Sequence, residues 1–106
     1  MAFIYLIQSE NNYEKLYKIG FTRNKDVKKR LNQLKTGNPS RLSIVEKFET
    51  KHNRKVETTL HNIYSMKNID GEWFRLDEYD VQNFLENCSK IEENFDVLFE
   101  NDNPFY

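Results

Sequence analysis

The sequence predicts an α+β (α/β) fold: a small, mainly antiparallel three-stranded sheet flanked by helices. Three observations carry this. The chain opens on a short, almost wholly apolar run, residues 2–8 (AFIYLIQ), rich in aromatic and β-branched side chains, which reads as a buried central strand. Residues 9–12 are turn material, so residues 13–21 can return antiparallel as a hairpin partner. Further on, apolar residues recur at helical spacing, as Val27, Leu31 and Leu34 and again as Val56, Leu60 and Ile63. Each set is a single stripe that must face a core.

Each element has its own justification. In the first strand Phe3, Tyr5 and Ile7 share one face, and Ala2, Ile4 and Leu6 share the other. Gly20, in the second, marks a bulge or a place where another backbone or a ligand comes close. Residues 22–25 form a polar turn, and Asp26 opens the first helix, where its carboxylate can accept bonds from free backbone N–H groups. Gly37 offers a left-handed cap and Asn38-Pro39 a stop. Residues 42–49 (LSIVEKFE) give a third strand, and a second helix runs from Asn53 to about Met66. After a turn at Ile69-Asp70-Gly71, residues 72–76 (EWFRL) read as a short strand or extended segment. Residues 77–87 read as a helix with Val81, Phe84 and Leu85 inward. Residues 89–106 carry the Ile91, Phe95, Leu98 and Phe99 pattern of a further helix that frays near Pro104. With no repeat, linker or low-complexity stretch, residues 1–106 are expected to form one domain.

Composition narrows the setting. One cysteine, Cys88, excludes an internal disulfide and a cysteine-rich zinc site, and suits a reducing compartment. No apolar run approaches the ~20 residues that cross a bilayer, and no charged-then-apolar leader is visible, so a cytoplasmic protein without a membrane partner is expected. The net charge of −1 hides an asymmetry: residues 11–61 carry 13 Lys and Arg against 5 Asp and Glu, whereas residues 62–106 carry 3 against 11. A basic half with interleaved aromatics is the footprint expected for a polyanion. The alternative is a dipolar domain whose halves pair with each other, and charge alone does not separate the two. An acidic C-terminal region, residues 77–106, also suits a protein partner or mimicry of DNA.

Two helix margins hold candidate chemistry. Arg30 lies one turn from both Val27 and Leu34, roughly 40–60° off their stripe, where core meets surface. An ordinary snorkelling Arg would look the same. On the second helix Glu57 and His61 stand at i and i+4, with Tyr64 one turn further, as a polar line flanking the apolar stripe. A carboxylate at such a margin can hold Mg²⁺, with water and substrate phosphate completing the shell, and His61 can bond a phosphate or move a proton near neutral pH. An isolated surface Glu–His pair is the plainer reading.

The order of the pieces is more specific than any one of them. Phe3-Ile4-Tyr5, Lys18-Ile19-Gly20, Arg30-Leu31 with Leu34, Thr36-Gly37-Asn38-Pro39, Glu57, His61 and Glu72-Trp73-Phe74 follow in sequence. Together they resemble the GIY-YIG nuclease family, most closely its viral and phage branch, over residues 3–76. The resemblance implies a metal-dependent DNA endonuclease using one divalent ion, Mg²⁺ or Mn²⁺. Tyr5 would match the tyrosine that activates or orients the attacking water, Arg30 the arginine on the scissile phosphate, Glu57 the metal-holding carboxylate, and His61 the branch's helix histidine. Phe3 replaces the first glycine. Lys18 stands where the second tyrosine would be, with Tyr17 one residue earlier and on the opposite strand face unless Gly20 marks a bulge. Lys18 is therefore expected beside Tyr5, where its ammonium would favour the phenolate. Arg23, Lys25, Lys28, Lys29, Arg41, Arg54 and Lys55, with Lys15 and Lys51, are expected to track the DNA backbone with little sequence reading. A binding module of the same fold without catalysis is the alternative that Lys18 motivates.

Overall fold

Five extended segments pair edge to edge, and the apolar opening run is one of the interior ones. The computed structural model describes residues 1–23, 25–36 and 40–106. Strands β1 (Ala2–Glu10), β2 (Lys15–Thr22), β3 (Arg41–Thr50), β4 (Asn68–Asp70) and β5 (Trp73–Phe74) form one antiparallel sheet in the order β3-β1-β2-β5-β4. The fold class is the expected α+β, with five strands in place of three. Of the two further ones, β5 falls within residues 72–76, read as a short strand or extended segment, while β4, three residues long, is too short to show any period; together they form a small hairpin on the outer edge of β2. Its turn is Gly71, whose φ of 55° is open to glycine at little cost.

The β1–β2 turn is set by one side chain: Asn11 Oδ1 accepts from the backbone N–H groups of Tyr13 and Glu14 at 2.8 and 3.0 Å. From there the register runs unbroken from Glu10↔Lys15 to Phe3↔Thr22, so Gly20 is not a bulge. The bulge lies in β3, where the pairing with β1 shifts between Leu6 and Ile7.

Helices cover both faces. Helix α1 (Val27–Lys35) starts where expected, with the Asp26 carboxylate accepting from Lys28 N at 3.0 Å. It closes a small core of Tyr5, Ile7, Val27, Leu31 and Leu42. Asn24 of the preceding turn and the expected stop at Gly37, Asn38 and Pro39 lie outside the described residues. The other face carries the larger core, built on Ile4, Leu6, Tyr17 and Ile19 under helices α2 (Asn53–Ile63) and α4 (Phe84–Glu100).

Three helical expectations need correction. The α2 stripe continues through Tyr64 rather than Ile63, which is 51% exposed; positions 56, 60 and 64 form the row that meets the sheet. Tyr64 therefore leaves the polar line and enters the core, its hydroxyl accepting from Asn87 Nδ2 at 3.0 Å. The single helix expected over residues 77–87 is broken. Helix α3 (Glu78–Gln82), opened by a reciprocal Asp77–Asp80 capping box, ends at Asn83, whose Nδ2 donates to the Tyr79 carbonyl at 2.8 Å. An asparagine that takes a backbone acceptor competes with helix continuation. Helix α4 then begins at Phe84 and buries Phe84, Cys88 and Ile91, which leaves Leu85, ~100° round the wheel, on the outer side. Phe99, expected inward, is exposed as well.

The acidic half partly turns inward. Glu92 accepts from Thr50 Oγ1 at 2.5 Å and Lys51 N at 3.0 Å, and Asp96 Oδ1 lies 2.8 Å from the buried His52 Nε2. His52 Nδ1 meets the Tyr106 hydroxyl at 2.5 Å. Lys67 pairs with Asp77 and Asp80. Glu92 and Asp96 thus join the acidic half to residues 50–52 of the basic half, with Lys51 also 3.7 Å from Asp96, whereas Lys67 pairs within the acidic half. No helix of the described residues is long and apolar enough to cross a membrane.

Candidate active site at the edge of the second strand

Register places Tyr5 directly opposite Gly20, and the phenol ring lies across β2 at that point. A Cβ built on Gly20 would stand 2.4 Å from the Tyr5 hydroxyl oxygen and 2.6 Å from Cζ. What comes close to this glycine is therefore a neighbouring side chain. Tyr5 is 1% exposed, and its hydroxyl accepts from Arg30 Nε at 3.4 Å. Arg30 reaches over from α1 and steadies its Nη1 on Gln33 Oε1 at 3.3 Å. The hydrogen bond to Tyr5, aided by the nearby negative charge of Glu72, holds the Arg30 guanidinium above its ordinary range despite partial burial. This cation stays charged at any accessible pH.

Round the edge of β2, α2 supplies the second group. His61 Nε2 donates to the Ile19 carbonyl at 2.9 Å, and its ring stands edge-on to Phe74 with centroids 4.9 Å apart. The carbonyl fixes the proton on Nε2, so the neutral ring presents Nδ1 as an acceptor. One turn earlier, Glu57 Oε2 is buried without a hydrogen-bond partner among the described residues. Burial raises the Glu57 carboxyl above the usual carboxylate range; Glu72 adds to the rise, while His61, Lys18 and Arg54 oppose it.

Lys18 does share the face of Tyr5, yet it is not beside it. It pairs across from Ile7, one pleat along, and its ammonium turns to Glu72 Oε2 at 2.9 Å over the Trp73 ring at 5.4 Å. The expectation that Lys18 acts on the Tyr5 phenol is corrected by that engagement. Tyr17 is corrected too. It points into the opposite core, where its hydroxyl donates to Gln8 Oε1 at 3.3 Å, because adjacent strand residues alternate and no bulge intervenes.

Glu72 is the residue that sequence reasoning left without a role. It lies close enough to be felt by Arg30 and by Glu57, and it pairs with Lys18, so it joins the two groups. The visible signal was a carboxylate immediately before an aromatic strand; which cation it meets depends on the β2–β5 register, which no local pattern encodes.

The expected DNA-tracking cations are dispersed. Arg23, Lys25, Lys28 and Lys29 are exposed around the start of α1, with Arg23 stacked over Phe21 at 5.9 Å. Lys25 and Lys28 also line a hollow of about 370 Å³ with Lys47 of β3. Arg54 is exposed one turn before Glu57. Arg41 sits opposite Glu10 at the far end of the sheet, and Lys55 is held elsewhere, donating to the Tyr106 carbonyl and lying over its ring. Those two are not part of the cluster, because register and the C-terminal segment direct them away.

The profile of the T5orf172 domain matches residues 2–89, from β1 into α4 and so across every group above. The chain belongs to the T5orf172 domain family. This is a phage-type domain associated with nucleases and related to GIY-YIG and HNH-like endonucleases, which links the chain to nuclease-like and DNA-binding roles. No curated protein and no solved structure matches the chain. In this T5orf172 domain, then, the surroundings of β2 hold a guanidinium on a tyrosine, a histidine with a fixed tautomer and a buried carboxylate oxygen with no donor among the described residues.

Proposed function

We propose that this T5orf172 domain is a GIY-YIG-type endonuclease that hydrolyses phosphodiester bonds in DNA with the help of one divalent cation. The observation that carries the proposal is Glu57 Oε2. A buried carboxylate oxygen without a donor is costly, and a cation is the natural partner for it. The residues fit Mg²⁺ or Mn²⁺: one hard oxygen donor, with water and substrate phosphate able to supply the rest. When bound, the ion supplies positive charge to the phosphate oxygens on which negative charge builds.

The protein's own groups perform the remaining work. Arg30, permanently charged and planar, binds non-bridging phosphate oxygens in a bidentate manner. Tyr5 orients Arg30 in the resting geometry; at this depth its hydroxyl meets a phosphate only once the guanidinium swings across. His61, locked through Nε2, takes the proton of the attacking water at Nδ1 as the new P–O bond forms and the leaving oxygen departs. Lys18, Lys25, Lys28 and Arg54 contact neighbouring phosphates. The second reading, a binding module without catalysis, is favoured by one observation: Tyr17 faces away and Lys18 holds the position of a second tyrosine.

Incubation with plasmid, branched DNA and RNA, in Mg²⁺ or Mn²⁺ against EDTA, separates the readings. Cleavage of DNA that needs the metal and vanishes in Glu57→Gln supports the enzyme. Salt-sensitive DNA binding without cleavage in any metal leaves the binding module.

A further inference from the structure

We infer that Glu72 is a positioning residue that occupies Lys18 in place of a nucleic-acid phosphate, so that substrate binding requires Glu72 to let go. This rests on the nucleic-acid reading above and deepens it.

The Lys18 side chain is 12% exposed, with its ammonium over the Trp73 ring, 5.4 Å from the centroid. Glu72 meets that ammonium at 2.9 Å with a carboxylate about a third exposed. The anchored partner is the cation and the more accessible one is the anion, so the anion can swing out without opening the core. A phosphate arriving at Arg30 and Lys18 would bring a further negative charge to a place that already holds Glu57 and Glu72. Like charges at this range repel, and Glu72 bears on Arg30 and Glu57 alike. Either Glu72 withdraws, or a cation at Glu57 draws its carboxylate away from Lys18. The second route makes divalent cation and phosphate bind cooperatively through one side chain. The carboxylate end of the pair is open to water, where its release is least costly.

The test is anisotropy of a labelled DNA duplex with the full chain, over a range of salt, first in EDTA. Glu72→Gln should bind several-fold more tightly than wild type across the salt range, with a similar log–log slope, because both bound states make the Lys18 contact and only wild type must first break the pair. Lys18→Met in the Glu72→Gln background should remove that gain. Glu86→Gln, which frees Lys90 from a pair of the same kind on α4, should leave binding unchanged. Adding Mg²⁺ should tighten wild type more than Glu72→Gln. A Glu72→Gln protein no tighter than wild type in EDTA, or a gain that survives Lys18→Met, overturns the inference while the nucleic-acid reading stands. No binding by any variant at low salt removes both. Should Glu72→Gln fail to fold, the side-chain carboxyl carbon resonance of Glu72 in the wild-type protein decides: it must shift when DNA binds in EDTA, and an unmoved resonance refutes the exchange.

Discussion

The Tyr5 hydroxyl occupies the space in which a side chain at residue 20 would begin, 2.4 Å from a Cβ built on Gly20. The glycine is required by a neighbour's ring rather than by its own backbone angles. Gly20→Ala should therefore act as overpacking and destabilise the fold by about 1–3 kcal/mol in urea denaturation. The two sites should be strongly coupled. Tyr5→Ala is expected to cost clearly less in a Gly20→Ala background than in wild type, and additive costs would show that the contact is not the cause.

Arg30 and Glu57 sit at helix margins, so removing either leaves the cores intact. Arg30→Ala and Glu57→Ala should each lower metal-dependent cleavage by on the order of 10²-fold or more while keeping the wild-type circular dichroism spectrum. Arg30→Lys should recover little, since a point charge lacks the planar fork. Single-turnover rates check this; a wild-type rate in either alanine variant would move the site elsewhere.

The Glu57 carboxyl gives a stability profile with a definite sign. Its folded value is raised by burial, so the folded state holds the proton after the unfolded chain has released it. Stability contributed by the neutral form is present at low pH and declines as pH rises from the ordinary carboxylate range through the raised value. In EDTA, Glu57→Gln should lack that decline and melt higher than wild type at neutral pH. Mg²⁺ should raise the wild-type melting temperature and leave Glu57→Gln unmoved. A metal response that persists in the variant would assign the ion to other ligands.

Cys88 offers a probe of the larger core. Burial pushes its thiol up to about 12, and it is fully enclosed between α4 and the sheet. A disulfide reagent at neutral pH should label it only through global opening, at a rate that rises with urea in step with unfolding. Rapid labelling of the native protein would show that α4 lifts away locally.

What was legible in the sequence was what is decided locally. Asp26 opens α1 because a cap acts over three residues, and Val27, Leu31, Val56 and Leu60 are buried because one period suffices to place them. Strand β5 was read within residues 72–76 from its aromatics after a turn, but β4 escaped because three residues carry no period, and the break at Asn83 because its cause is one side-chain bond. Arg30, Glu57 and His61 were found as members of an ordered pattern. The facing of Tyr17 away from Lys18 follows from strand alternation, but the role of Glu72 and the true neighbour of Lys18 depended on register, a relation between segments far apart in the chain.

The β4–β5 hairpin also decides how much of β2 is left as an edge. Strand β5 pairs with β2 only at Tyr17 and Lys18, Ile19 N adds one bond to the Glu72 carbonyl at 3.0 Å, and the chain then reverses at Gly71. Continued by one step, the same ladder would lay residue 71 alongside Gly20, the residue opposite Tyr5. Gly71 thus works as a doorstop: its place in the chain fixes how much of the outer edge of β2 the hairpin covers.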